Sequence, residues 1–111
     1  MRAKDFELLT SALTVCEALV LPTKIQNAEL IATYKNQFSQ MEILSIQFKT
    51  SEHFAQLRAT TSVKTPDALQ IACAREARIP FFITNDERLS QYSSQETTIY
   101  SLDGFLKAYA D

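Results

Sequence analysis

Glycine and histidine are almost absent from this chain of 111 residues. Its single glycine, Gly104, excludes the glycine-rich loops of P-loop and dinucleotide-binding proteins, because those loops need several glycines where the backbone approaches phosphate. Its single histidine, His53, leaves a serine-histidine-aspartate triad improbable and gives a zinc site too few imidazole ligands. We therefore expect neither a glycine-rich phosphate loop nor a histidine-based catalytic centre.

Cysteines and long apolar runs are also scarce. Cys16 and Cys73 stand far apart with no C-x-x-C motif, which predicts two reduced, largely buried thiols in a cytoplasmic protein. No apolar stretch approaches the roughly 20 residues of a membrane span. The charged amino terminus has the pattern of neither a signal peptide nor a membrane anchor. A net charge of -2 gives no general attraction for nucleic acid. Handling a polyanion would require local basic residues or a bridging cation.

The length and the residue patterns predict a single globular domain over residues 1–111. Short apolar strand patterns alternate with helical ones, which favours an α/β fold with a mainly parallel sheet. The predicted strands are residues 6–10, 42–48, 80–84 and 97–102. The predicted helices are residues 14–21, 23–40, 51–58, 68–77, 86–89 and 105–109.

Local signals indicate where several of these elements begin and end. Residues 14–17 fit a capping box, Pro22 is expected to end that helix, and Thr23 can cap the next one. Residues 65–67 combine a capping threonine, a proline and an acid, which predicts a helix start. The near-continuous apolar run at residues 80–84 is typical of a strand that is covered on both faces.

Three acids, Glu17, Asp67 and Asp86, fall where predicted strands end or helices begin. Ligands of parallel α/β sheets bind at that edge, and carboxylates that converge there favour a hard divalent cation. Each acid also has a purely structural alternative: the capping box for Glu17, the helix dipole for Asp67 and an N-cap for Asp86. Spacing alone leaves both interpretations open.

Two segments, TPDALQIACA at residues 65–74 and IPFFITNDERL at residues 79–89, resemble the carboxyl-terminal half of a PIN domain. PIN domains form a metal-dependent ribonuclease family that includes many toxins of toxin-antitoxin pairs. The segment SALTVCE at residues 11–17 resembles the part of the family that carries its second acid. The resemblance implies a three-layer α/β/α fold with a mainly parallel sheet.

The resemblance also implies a site. Glu17, Asp67 and Asp86 match the family's second, third and fourth acids, which would bind Mg²⁺ or Mn²⁺. Thr84 and Asn85 match polar positions that can orient a carboxylate or a water molecule. Arg88, two residues after Asp86, is a candidate phosphate contact. The implied activity is cleavage of single-stranded RNA, with an antitoxin protein as a further partner.

One feature of the family is missing from this sequence. PIN domains begin with a strand that ends in an aspartate, and this chain begins where their second strand would be. Asp5 and Glu7 are the only acids before Glu17, and neither follows an apolar strand. Three explanations are open: the open reading frame was assigned too short, a second chain supplies the missing half, or the fold is a reduced one. For the reduced fold we expect a homodimer, because an unpaired sheet edge tends to be covered. A catalytically inactive PIN-like module that binds a protein partner is the alternative function.

Overall fold

A computed structural model describes residues 7–109 of the chain, so Asp5 and the first residue of the predicted strand at 6–10 lie outside the described part. The chain divides into two compact units. The amino-terminal unit is Leu8–Gln47, and the carboxyl-terminal unit is described at Glu7 and over residues 48–109. None of the helices within residues 7–109 has both the length and the apolar character needed to cross a membrane.

The amino-terminal unit contains two strands and three helices. They are β1 (Leu9–Ser11), α1 (Ala12–Ala18), α2 (Val20–Lys24), α3 (Ala28–Phe38) and β2 (Glu42–Leu44). Strands β1 and β2 pair in parallel, with Thr10 opposite Ile43. The helices between them provide the crossover connection that parallel strands require.

The start of α1 differs from the prediction. Ser11 is the N-cap residue, and its hydroxyl accepts a hydrogen bond from the Thr14 backbone N–H at 3.2 Å. Thr14 therefore lies inside the first turn, and the capping box at residues 14–17 is wrong. Pro22 does not end α1 either, since it lies within the first turn of the separate helix α2. A proline is tolerated there because the first turn has no backbone acceptors for its N–H groups.

The start of α3 also differs from the prediction. The Asn27 side chain accepts a hydrogen bond from the Leu30 N–H at 3.0 Å and caps this helix. The Thr23 hydroxyl instead donates to the Leu19 carbonyl at 2.6 Å, within α2. Gln26 has a φ of 54°, a left-handed conformation that separates the two helices. The predicted helix over residues 23–40 is thus two helices with a turn between them.

Over residues 48–109, the carboxyl-terminal unit holds two strands and four helical segments. They are α4 (Thr50–Thr60), α5 (Thr65–Glu76), β3 (Phe81–Thr84), a 3-10 helix (Glu87–Tyr92), β4 (Thr98–Ser101) and α6 (Leu102–Tyr109). Strands β3 and β4 pair in parallel, from Phe81 opposite Thr98 to Thr84 opposite Ser101. The prediction of an α/β fold with parallel pairing is confirmed.

Helix α5 is the centre of this unit. Its residues Ala68, Ile71 and Ala72 are fully buried, and the two alanines allow close approach of a neighbouring element. The helix packs against α4. The buried core cluster also contains residues of α4, the α4–α5 connection, the 3-10 helix and β4: Leu57, Val63, Leu89 and Ile99. The core therefore fixes the first turn of α5 relative to the 3-10 helix.

Three smaller expectations are corrected by the structure. The N-cap residue of α5 is Lys64, which has extended backbone geometry, and Thr65 is the first helical residue. Strand β3 is only half buried, and its Ile83 is exposed. Cys73 is buried as expected, but Cys16 is exposed on α1.

Candidate functional site

Asp67 and Asp86 line the same cavity of the carboxyl-terminal unit. Asp67 lies in the first turn of α5, and Asp86 follows β3 by two residues at the start of the 3-10 helix. Both acids are half-buried. The cavity has a volume of about 240 Å³ and is also lined by Lys64 and Arg88. This volume lies below the roughly 300–1,000 Å³ of most small-molecule sites, so it suits an ion or a phosphate group better than a large organic ligand.

The Asp86 carboxylate is held by Arg88. Its Oδ1 accepts hydrogen bonds from the Arg88 backbone N–H at 3.0 Å and from Nε at 2.9 Å, while Oδ2 accepts from Nη2 at 2.8 Å. Asp86 is thus both the N-cap of the 3-10 helix and one half of a bidentate ion pair. The hydrogen bonds and the charge of Arg88 lower the pKa of Asp86. This carboxylate therefore stays ionised at pH values below those at which an aspartate is usually protonated.

The charge of Asp67 also acts on Arg88. The hydrogen bonds and charge of Asp86 raise the pKa of Arg88, and the charge of Asp67 raises it further. Arg88 is therefore a counter-ion in the field of both carboxylates. Its side chain is 86% exposed, against 32% for that of Asp86, so the pair lies at the mouth of the cavity.

The two polar residues beside Asp86 have different surroundings. The Thr84 hydroxyl accepts a hydrogen bond from the Asp86 backbone N–H at 3.1 Å. Thr84 therefore orients the backbone that carries Asp86 through this N–H rather than through the carboxylate. Asn85 is exposed. The roles of both residues toward a bound ion stay predictions.

Glu17 belongs to the amino-terminal unit, where it lies exposed on α1. Since Ser11 caps this helix, Glu17 is not the returning acid of a capping box. Within residues 7–109, no three carboxylate, thiol or imidazole side chains are grouped as metal ligands. The participation of Glu17 in a site with Asp67 and Asp86 stays a prediction.

Arg75 links two elements of the carboxyl-terminal unit through a contact that was not predicted from the sequence. Its Nη2 donates a hydrogen bond to the Tyr92 carbonyl at 2.8 Å, which links α5 to the end of the 3-10 helix. Its Nε atom is buried and has no hydrogen-bond acceptor in the part of the chain that the structure describes. Burial lowers the pKa of Arg75. The two partners are 17 residues apart in the chain, so no local motif indicates this contact.

Replacing Arg75 tests the contact. We expect Arg75→Met to reduce the free energy of unfolding by about 1 kcal/mol, because the Tyr92 carbonyl loses a charge-assisted hydrogen bond while the unpaired Nε is also removed. The measurement is urea unfolding. Arg78→Met is the matched control, since Arg78 is exposed and lies just beyond α5. Equal unfolding midpoints for the two variants would show that the contact contributes nothing to stability.

Comparison with known families identifies one match. The family model described as PIN domain matches residues 1–94, a range that contains Glu17, Asp67, Asp86 and Arg88. No curated protein and no solved structure is significantly similar to the chain.

Proposed function

Because the chain belongs to the PIN domain family, a family of nuclease type, we propose that it is a divalent-metal-dependent endoribonuclease that cuts single-stranded RNA. One observation carries the proposal: Asp67 and Asp86 line one cavity and already act on a shared positive charge, that of Arg88. The family match over residues 1–94 includes parts of both compact units, which supports the proposal that they belong to a single domain.

The donor set fits a hard divalent cation. Carboxylate oxygens are the ligands that Mg²⁺ and Mn²⁺ prefer, and the cavity holds two half-buried carboxylates. We assign Asp67 and Asp86 as ligands, and Glu17 as the third acid on the basis of the family resemblance. When bound, the cation supplies positive charge to the phosphate and lowers the pKa of the attacking water.

The chain's own residues prepare this chemistry. The lowered pKa of Asp86 keeps its carboxylate ionised, and Thr84 orients the backbone beneath it. Arg88 and Lys64 supply positive charge at the cavity, which a chain with a net charge of -2 needs if it is to bind RNA. The guanidinium of Arg88 has the planar donor geometry that suits a phosphate.

The test is cleavage of labelled single-stranded and structured RNAs by the purified protein. We expect cleavage of the single-stranded RNA in Mn²⁺, none in EDTA, and a rate at least about tenfold lower for Asp67→Asn, because a metal ligand loses its charge. Cleavage that persists in EDTA, or that proceeds equally in Asp67→Asn, would contradict the proposal.

One observation favours the alternative, an inactive PIN-like module that binds a protein. Both carboxylate oxygens of Asp86 are already hydrogen-bonded to Arg88. If this pair were permanent, Asp86 could not serve a cation, and the protein would bind no Mn²⁺ and cut no RNA. Metal binding by the wild-type protein therefore distinguishes the two functions.

Partners and location complete the proposal. An antitoxin protein and a homodimer are proposed from the family resemblance. Size-exclusion chromatography with light scattering tests the dimer. A cytoplasmic location is supported by the two free cysteines, as expected in a reducing compartment.

A further inference from the structure

The ion pair between Asp86 and Arg88 occupies the position where the proposed function requires a cation. The guanidinium takes both oxygens of the carboxylate, at 2.9 Å and 2.8 Å. It also lies in the field of Asp67, the second acid of the cavity. A divalent cation bound to Asp86 would therefore compete with Arg88 for the same oxygens.

We propose that Arg88 is an exchangeable counter-ion, whose guanidinium holds Asp86 in the metal-free protein and leaves it when a divalent cation binds. The freed guanidinium then binds a phosphate of the RNA. This inference rests on the proposed function, and it assigns to Arg88 one partner before metal binding and another afterwards.

The environment of Arg88 allows the exchange. Its side chain is 86% exposed, so packing contributes little to its position. Ion pairs at such exposed sites are weak, because water solvates both partners well after separation. The carboxylate itself is better fixed, since Asp86 caps the 3-10 helix and Thr84 accepts the hydrogen bond of its backbone N–H. The arginine can therefore move while its partner stays in place.

Charge balance gives the exchange its direction. Asp67 and Asp86 together carry two negative charges when ionised; Arg88 neutralises one of them in a direct ion pair, and Lys64 also lines the cavity. A divalent cation neutralises both, so it is the better counter-ion for the pair once its ligands are assembled. The released guanidinium remains beside the cavity, two residues after Asp86, where a phosphate can accept its paired hydrogen bonds.

The exchange couples the two ligands of the protein. Arg88 lowers the affinity for the cation by competing for Asp86, and RNA relieves this competition by binding Arg88. Each ligand therefore raises the affinity for the other by the same factor, as linkage requires. Removing Arg88 should have opposite effects on the two: tighter binding of metal and weaker binding of RNA.

The first experiment measures Mn²⁺ binding by electron paramagnetic resonance of the free ion. We expect Arg88→Ala to lower the Kd for Mn²⁺ about fivefold, because an exposed but bidentate ion pair no longer competes for Asp86. Lys64→Ala is the matched control, because it removes one positive charge from the same cavity. It should change the Kd by about twofold or less. A damaged fold would weaken metal binding, so a gain in affinity cannot come from misfolding.

The second measurement follows the guanidinium itself. The Nε–H of Arg88 should give a nuclear magnetic resonance signal that Arg88→Lys lacks, and saturation with Mg²⁺ should shift it as the hydrogen bond to Asp86 breaks. In cleavage assays, Arg88→Ala should raise KM for RNA about tenfold, since a phosphate loses a charged partner.

The outcomes separate this inference from the proposed function. If the wild-type protein binds Mn²⁺ and Arg88→Ala binds it equally well, or if Lys64→Ala gains as much affinity, the exchange is refuted while metal-dependent cleavage stands. An Nε–H signal that is unchanged in saturating Mg²⁺ refutes it in the same way. If neither the wild-type protein nor Arg88→Ala binds Mn²⁺, the proposed function fails and the exchange fails with it.

Discussion

Asp86→Asn should cut single-stranded RNA at least about a hundredfold more slowly than the wild-type protein, with little change in stability. The substitution removes the negative charge from a proposed metal ligand while the shape of the side chain is kept. Asparagine is as good an N-cap residue as aspartate, so the hydrogen bond to the Arg88 N–H can persist. The loss of about 3 kcal/mol of transition-state stabilisation corresponds to about a hundredfold in rate.

Glu87→Gln provides the matched control for this variant. Glu87 is the next residue along the chain, lies exposed in the first turn of the 3-10 helix, and undergoes the same change of charge. We expect its initial cleavage rate to stay within about twofold of wild type, because it is not assigned as a ligand. Single-turnover cleavage in Mn²⁺ measures both variants. Equal rates for Asp86→Asn and Glu87→Gln would remove Asp86 from the catalytic site and contradict the proposed mechanism.

The element types could be predicted from the sequence better than their boundaries. Short apolar patterns, near-continuous in the case of β3, identified β1, β2, β3 and β4, because such patterns are a local property of the sequence. The start of α1 was missed because Ser11 and Thr14 are both good capping residues three positions apart. The choice between them depends on which backbone is extended, and pairing of β1 with β2 extends the one at Ser11.

The residues of the candidate site could be predicted from the sequence better than the contacts between them. Asp67 and Asp86 were identified because each lies at a helix start after a recognisable local signal, and in the structure they line one cavity. Arg88 was predicted as a phosphate contact, but its pairing with Asp86 was not, because side-chain rotamers decide that contact. The hydrogen bond from Arg75 to Tyr92 joins two elements that only the tertiary packing of the unit brings together. Sequence patterns report local geometry and are silent on such contacts.

Leu57→Ala should be the most destabilising of the substitutions considered, with a loss of about 3 kcal/mol in the free energy of unfolding. Leu57 is 2% exposed and belongs to the core cluster with Ala68, Ile71 and Ala72. Truncation leaves a cavity between α4 and α5, and alanines on α5 cannot reach across to fill it. These two helices pack against each other, and α5 carries Asp67. The loss of stability should therefore also lower the highest temperature at which the protein retains metal-dependent cleavage.

Leu106→Ala is the matched control in the same unit, because it makes the same truncation in helix α6 at a side chain that is 47% exposed. It should cost about 1 kcal/mol or less, since about half of that side chain is already in contact with water. Thermal unfolding followed by circular dichroism compares the two, and we expect the midpoint of Leu57→Ala to lie about 10 °C or more below that of Leu106→Ala. If Leu106→Ala proved as destabilising as Leu57→Ala, the Leu106 side chain would make a packing contact that its 47% exposure does not indicate. The stability of the site would then depend on the packing of α6 as well as on the packing of α4 against α5.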